Sequence, residues 1–166
     1  MHDELTKNDI QKMEEELRYR RCELRAELLE EVKRTRAFGD LSENFEYKEA
    51  KRAKNRNDSR IRYLENMIKT AKLISDESAA DEVGLFDKVT VRMANGKELC
   101  LQIVTTLRTD PLHGIVSKES PFGKAIMGLR VGENGTVHMD NGGSYDVTVL
   151  AIEKLPDDGS IPIRMY

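Results

Sequence analysis

The chain has 166 residues, 39% of them apolar and 34% charged, with a net charge of −3. This balance suits two small units with long solvated surfaces better than one large core. No apolar run approaches the roughly 20 residues that cross a bilayer, and Met1-His2-Asp3-Glu4 lacks the apolar core of a signal peptide, so a cytoplasmic protein with no membrane association is expected.

Cys22 and Cys100 stand far apart, with no second cysteine nearby to form a metal knuckle or redox pair, and read as packing residues. His2, His113 and His138 lack the spacing of a zinc site. Charge is unevenly spread. Residues 1–74 carry 18 Lys/Arg against 16 Asp/Glu, and residues 75–166 carry 9 against 14. Within residues 33–60 the count is 9 basic against 5 acidic, an excess that permits contact with a polyanion without predicting autonomous nucleic-acid binding.

Ten of the eleven glycines lie at or beyond Gly84 and all four prolines at or beyond Pro111, which divides a helical first half from a turn-rich second half. Leu5-Thr6 supplies a helix N-cap, with Asp9 placed near the positive end of the helix. Ile10, Met13, Leu17, Leu24, Leu28 and Val32 then recur at helical steps. A second arm places Tyr47, Ala50, Lys54, Asn57, Ile61, Leu64, Ile68 and Ala71 on a 3-4 repeat, the pattern of a coiled-coil seam. Reversal of the chain near Asp40 pairs Ile10 with Ala71, Met13 with Ile68 and Leu17 with Leu64. The expected product is a projecting antiparallel hairpin, on the order of 45 Å long from about 30 residues per arm. Lys54 and Asn57 put polar groups in the seam and predict a weaker grip toward the tip.

The turn is Gly39-Asp40-Leu41-Ser42-Glu43-Asn44. Gly39 can end the first helix in the left-handed conformation, and Ser42 is a good N-cap for the second. A helix beginning near Ser42 places the Asp40 and Glu43 carboxylates at the end of the hairpin. Acids there can simply complement a helix N-terminus.

Residues 75–82 lack apolar periodicity and read as a linker. Beyond them the period becomes two: Asp87 to Met93 alternates, Asn95-Gly96 is a hairpin turn, and Lys97 to Val104 returns. Gly114 to Ser117 is a short strand, Pro121 to Leu129 a helix capped by Ser120, and Thr136–Met139 and Tyr145–Ile152 are strands around Asn141-Gly142-Gly143. The result is an α+β architecture of two domains: a hairpin over 1–74, a linker over 75–82, and a largely antiparallel sheet with one short helix over 83–155. The Asp/Gly/Pro-rich stretch 156–166 reads as a flexible tail.

Gly39 to Tyr47, followed by Ala50-Lys51, closely resembles the coiled-coil tip of bacterial Gre transcript-cleavage factors. Ser120 to Gly128 resembles the C-terminal helix motif of that family, and the Tyr145-to-Leu155 strand is also similar. The resemblance implies an FKBP-like fold for the C-terminal domain. It also implies a protein that is not itself an enzyme but binds bacterial RNA polymerase near its secondary channel and stimulates the polymerase's own cleavage of the RNA 3′ end in backtracked complexes. By motif position the essential acids are Asp40 and Glu43, holding a second Mg²⁺ jointly with the polymerase, with Asn44 and Tyr47 supporting the tip. Arg36, Lys51, Arg52 and Lys54 are candidates for RNA phosphate contact, and Lys118, Glu119, Ser120 and Pro121 for polymerase docking. A monomer is expected. Three other readings stay open: a relative that blocks the polymerase channel without cleavage, a prolyl isomerase suggested by the fold alone, and a plain coiled-coil adaptor whose tip acids are caps.

Overall fold

The structure is a computed structural model that describes residues 2–39 and 43–165. It divides into two compact units, one formed by Ile10–Ala71 and the other by Glu4–Asp9 together with the chain from Lys72 onward. The expected boundary after residue 74 therefore shifts: Glu4–Asp9 and the residues just after Ala71 belong with the second half. A two-residue parallel pairing explains this. Strand β1 (Glu4–Leu5) lies beside β2 (Lys72–Leu73), Ile74 N–H donates to the Leu5 carbonyl at 2.9 Å, and Leu5 is fully buried.

The first unit is a helical hairpin. Helix α1 (Lys7–Tyr19) runs through a π-helical segment (Arg20–Leu24) into α2 (Arg25–Arg36), and α3 (Phe45–Thr70) returns. The 26 residues of α3 give a rod of about 39 Å. The arms pair close to the expected register, through Glu16–Arg60, Arg20–Asn57, Arg25–Asp58 and Thr35–Asn44. Met13, Ile61 and Leu64 are buried along the seam, as the apolar repeat requires, whereas Met67 is buried and the expected Ile68 only half-buried.

Asn57 does not loosen this seam. It is buried, accepts from Arg20 Nη1 at 3.0 Å, and donates from its amide to the Arg20 carbonyl at 3.2 Å. Its partner lies within the π segment, where Arg25 N–H reaches back to the Arg20 carbonyl. The wide turn coincides with the seven-residue step from Leu17 to Leu24, the one place where the first apolar stripe skips a turn.

The second unit is a five-stranded sheet, ordered β5-β4-β3-β7-β6, with one short helix, the expected α+β, FKBP-like arrangement. The strands are β3 (Lys88–Met93), β4 (Glu98–Val104), β5 (Ile115–Ser117), β6 (Asn134–His138) and β7 (Ser144–Glu153). All neighbours are antiparallel except β4–β5, so the sheet is mixed. A parallel partner needs a crossover, and two short 3-10 turns, Thr106–Arg108 and Pro111–His113, carry the chain from β4 to β5. Strands β3 and β4 meet through the Asn95-Gly96 turn, where Gly96 takes φ 80° and Met93 N–H donates to the Lys97 carbonyl at 2.8 Å.

Helix α4 (Pro121–Ile126) is shorter than the expected run to Leu129. It packs Ile126 into a core with Val89, Val91, Ile103, Val137 and Val149. Each such side chain contributes roughly 1.5–3 kcal/mol by leaving water. Gly123 is obligatory in α4 because a Cβ there would stand 2.1 Å from the Ser117 carbonyl oxygen.

Two expectations are corrected. Both cysteines are exposed thiols, not packing residues, because Cys22 and Cys100 fall on outer faces of their elements. The stretch after Pro156 is not loose. Asp157 forms a bidentate ion pair with Arg108 at 2.7 and 2.8 Å, Arg164 N–H donates to the Leu107 carbonyl at 2.6 Å, and Ile161 packs against the core. Its polar composition masks these long-range partners.

Candidate functional site

The hairpin end is built by one side chain. Asn44 is in extended conformation and is the N-cap of α3: its Oδ1 accepts Tyr47 N–H at 3.0 Å. Its Nδ2 donates to the Thr35 carbonyl at 2.7 Å, so the same amide that starts α3 also ties it to the last turn of α2. The Thr35 carbonyl further accepts Phe38 N–H at 3.2 Å. Thr35 is buried, its hydroxyl donating to the Glu31 carbonyl at 2.8 Å. Gly39 has φ 117°, the left-handed exit expected there.

Asn44 thus fills the capping role expected of Ser42, and α3 begins at Phe45. Both are cap-type residues; the bond to Thr35, nine residues back, selects Asn44 and was not visible in local sequence. Asp40, Leu41 and Ser42 lie outside the described residues. Glu43 is exposed directly before the cap. Tyr47 is half-buried, and its backbone amide, not its phenol, carries the bond to Asn44.

The candidate RNA-contact residues separate into two kinds. Arg36 and Lys51 are exposed, and no ion pair among the described residues engages them. Arg52 pairs with Glu49 at 2.6 Å on the surface, and Lys54 with Asp58 at 3.1 Å, the same carboxylate that Arg25 approaches at 3.6 Å. Lys54 is therefore folded back along the hairpin. Two large aromatic rings near the turn were missed: Phe38 and Phe45 are 57% and 78% exposed. Their positions beside the acidic turn are the sequence signal that marks them.

The candidate docking residues surround the start of α4. Ser120 is its N-cap, accepting Gly123 N–H at 3.0 Å and donating to the Ser117 carbonyl at 2.6 Å. The Lys118 ammonium is tied to Glu4 and also to Glu119 at 3.1 Å. Burial works against the charge on Lys118, yet these two carboxylates hold it above its ordinary value. Conversely, the hydrogen bond from Lys118, followed by that from Lys72, holds the Glu4 carboxyl below the usual range. Lys118 and Ser120 thus stabilise the unit itself, while Glu119 and Pro121 are exposed. Beside them lies an apolar groove of about 410 Å³, lined among others by Pro121, Phe122, Val116, Met139 and Tyr145, with the Phe122 and Tyr145 rings 6.4 Å apart. The groove leaves no local signal in the sequence because its walls come from β5, α4, β6 and β7 together.

No group of three His, Cys, Asp or Glu side chains gathers among the described residues, and none of their helices is long and apolar enough to cross a membrane. These features define a two-unit α+β protein that carries an acidic turn on a helical hairpin and an apolar groove on a separate sheet domain.

Family comparisons agree with this class. Residues 4–73 match the model described as transcription elongation factor, N-terminal, and residues 77–154 match transcription elongation factor, GreA/GreB, C-term. The chain belongs to the GreA/GreB family of transcription elongation factors. It is 40% identical to the transcription elongation factor GreA of Bacillus subtilis over 139 residues, 83% of this chain and 88% of that protein. It is 43% identical to GreA of Caldanaerobacter subterraneus subsp. tengcongensis over 140 residues, 83% and 89% of the two chains. Among solved structures, the GreA factor homolog 1 protein of Thermus thermophilus is 26% identical, with 93% of this chain and 100% of that chain covered and a TM-score of 0.42.

Proposed function

We propose that this elongation factor binds bacterial RNA polymerase through the secondary channel and stimulates cleavage of the RNA 3′ end in backtracked complexes. In this reading it is not itself an enzyme: it acts in the cytoplasm as a monomer and lends two carboxylates, Asp40 and Glu43, to the polymerase active site. The observation that carries the reading is the Asn44 clasp, which fixes the start of α3 to Thr35 and so holds exposed Glu43 at a constrained end of a long helical pair.

The donor chemistry suits Mg²⁺ held in common with the polymerase. Two carboxylates are hard oxygen ligands of the number Mg²⁺ takes from protein, and they are too few to hold it alone. When bound, the ion would supply Lewis-acid polarisation of the phosphodiester. The carboxylates of this chain have two tasks, to complete the ligand set and to orient the attacking water. Arg36 and Lys51 are the better placed phosphate contacts, because Arg52 and Lys54 already have carboxylate partners. Polymerase docking is assigned to Glu119, Pro121 and the groove beside them, with Lys118 and Ser120 shaping that loop.

The test adds the protein to a backtracked polymerase complex with Mg²⁺ and follows release of short 3′ RNA. Wild type should accelerate cleavage, and Asp40→Asn or Glu43→Gln should each reduce the stimulated rate by about 10²-fold, the scale for removing one group that stabilises a transition state. Failure of wild type to accelerate, or undiminished cleavage by both variants, overturns the reading. Channel blockage without cleavage would favour an inhibitor instead.

A further inference from the structure

Phe45 is the first residue of α3 and adjoins both the Asn44 cap and exposed Glu43. A ring 78% exposed has little to stabilise it within the chain, and water would favour a smaller or polar side chain there. Helical periodicity places Phe45 on the side of α3 opposite the buried seam residues Ala50, Asn57 and Ile61. No packing role within the hairpin accounts for it.

Its surroundings are of mixed charge, with Glu43, Glu46 and Glu49 near Lys48, Lys51 and Arg52, but one cation stands directly against the ring. Lys48, one turn on, holds its Nζ 5.6 Å from the Phe45 ring centroid, and no ion pair among the described residues engages that ammonium. Lys51, exposed and engaged by no ion pair among the described residues, follows one turn beyond Lys48, whereas Arg52 is held by Glu49 at 2.6 Å. An exposed ring followed by cations at helical steps is the combination that binds unpaired nucleic acid: a base stacks on the ring and the strand's phosphates meet the cations. The other exposed ring is a useful contrast. Phe38 lies under Arg34 at 5.2 Å, but Arg34 is already bound by both oxygens of Glu31 at 2.5 and 2.8 Å. That cation is neutralised, so Phe38 lacks the free phosphate partner that Phe45 has.

We propose that Phe45 and Lys48 form a stacking site for the unpaired base at the 3′ end of the extruded RNA, with Phe45 as the platform and Lys48 as the phosphate contact. The proposal rests on the cleavage reading above. It makes Phe45 a positioning residue: by holding the terminal nucleotide beside the tip carboxylates it restricts the motion of the scissile phosphodiester. The site is indifferent to base identity because every base has a π face.

The test uses full-length protein on backtracked polymerase complexes whose RNA ends in 2-aminopurine, in a normal base, or in an abasic nucleotide. Addition of wild type should quench 2-aminopurine emission, and Phe45→Ala should abolish the quenching. Wild type should cleave base-bearing ends about tenfold faster than abasic ends. Phe45→Ala should cleave both at the abasic rate, Phe45→Trp should restore the difference, and Phe38→Ala should keep it. Equal slowing of base-bearing and abasic ends by Phe45→Ala would mean that the ring packs against the polymerase wall, and overturns the proposal. Unchanged quenching with Phe45→Ala also overturns it. If wild type quenches but cleaves neither RNA, the cleavage reading fails while the stacking site stands.

Discussion

Arg108 is a fully buried guanidinium, and its partners show why the chain around it is arranged as it is. Asp9 meets its Nε, Asp157 meets its two terminal nitrogens, and the Phe86 ring lies 5.1 Å from its Cζ. Phe86 takes φ 67°, unusual for a bulky residue, and a position that strained persists where surrounding contacts over-determine it. Asp9 also accepts the Thr6 backbone N–H at 3.0 Å, so the N-cap legible in Leu5-Thr6 is one side of a buried cluster that the sequence did not announce. Burial opposes the charge on Asp157, but the Arg108 hydrogen bonds and the Gly159 amide outweigh it and hold the carboxyl below its ordinary 3.8. A depressed carboxyl contributes stability that is present above the ordinary value and is lost as pH falls through the lower folded value. Asp157→Asn should therefore destabilise the second unit by about 3 kcal/mol at pH 7, at the low end for breaking a buried pair because Asp9 remains. Hydrogen exchange of the β3 and β4 amides checks this at pH 7 and again below the ordinary aspartate range. The gap between variant and wild type should narrow in acid; a gap independent of pH would assign the loss to packing rather than charge.

At the scale of elements, what could be read from the sequence follows a physical division. The helical arms, the Asn95-Gly96 hairpin and the alternating strands were legible because each is encoded by near neighbours: 3-4 repeats, period-two alternation, and turn residues with positive φ. Elements fixed by partners far along the chain were not. Parallel pairing of β1 with β2 joins residues 68 apart, the docked tail depends on Arg108, and the choice of Asn44 over Ser42 as cap depends on Thr35. The acidic tip motif was legible as a pattern, whereas the exposure of Phe45 and the groove beside α4 required the folded chain. The seam shows the same division. Asn57 looked like a weak point by type, yet it is clasped to the π segment by two hydrogen bonds. A buried polar residue in a seam fixes register at some cost in stability. Asn57→Ala removes both bonds and leaves Arg20 without this partner, so the hairpin should lose about 2 kcal/mol. Helical melting followed by circular dichroism is the measurement, and an unchanged transition would mean that the clasp contributes nothing.

For the whole molecule, the uneven charge acquires a meaning. The basic excess over residues 33–60 surrounds the turn, while the acidic second half carries the apolar groove, so the two units present different chemistry to a partner. In the proposed function the groove supplies affinity and the turn supplies reactivity. Binding energy and catalytic effect then reside on different residues, and variants that lose one should retain the other. Asp40→Asn combined with Glu43→Gln should abolish stimulated cleavage yet compete with wild type for the polymerase at close to equal dose. Phe122→Ala, which removes one wall of the groove, should shift the half-maximal dose upward by about tenfold, a single large apolar contact at a docking centre being worth at least 1–2 kcal/mol. It should leave the rate at saturating factor unchanged. Titration of both variants in the cleavage assay, with wild type as competitor, separates the two effects. A double acidic variant that fails to compete would place docking at the tip, and a Phe122 variant that lowers the saturating rate would make the groove part of the chemistry.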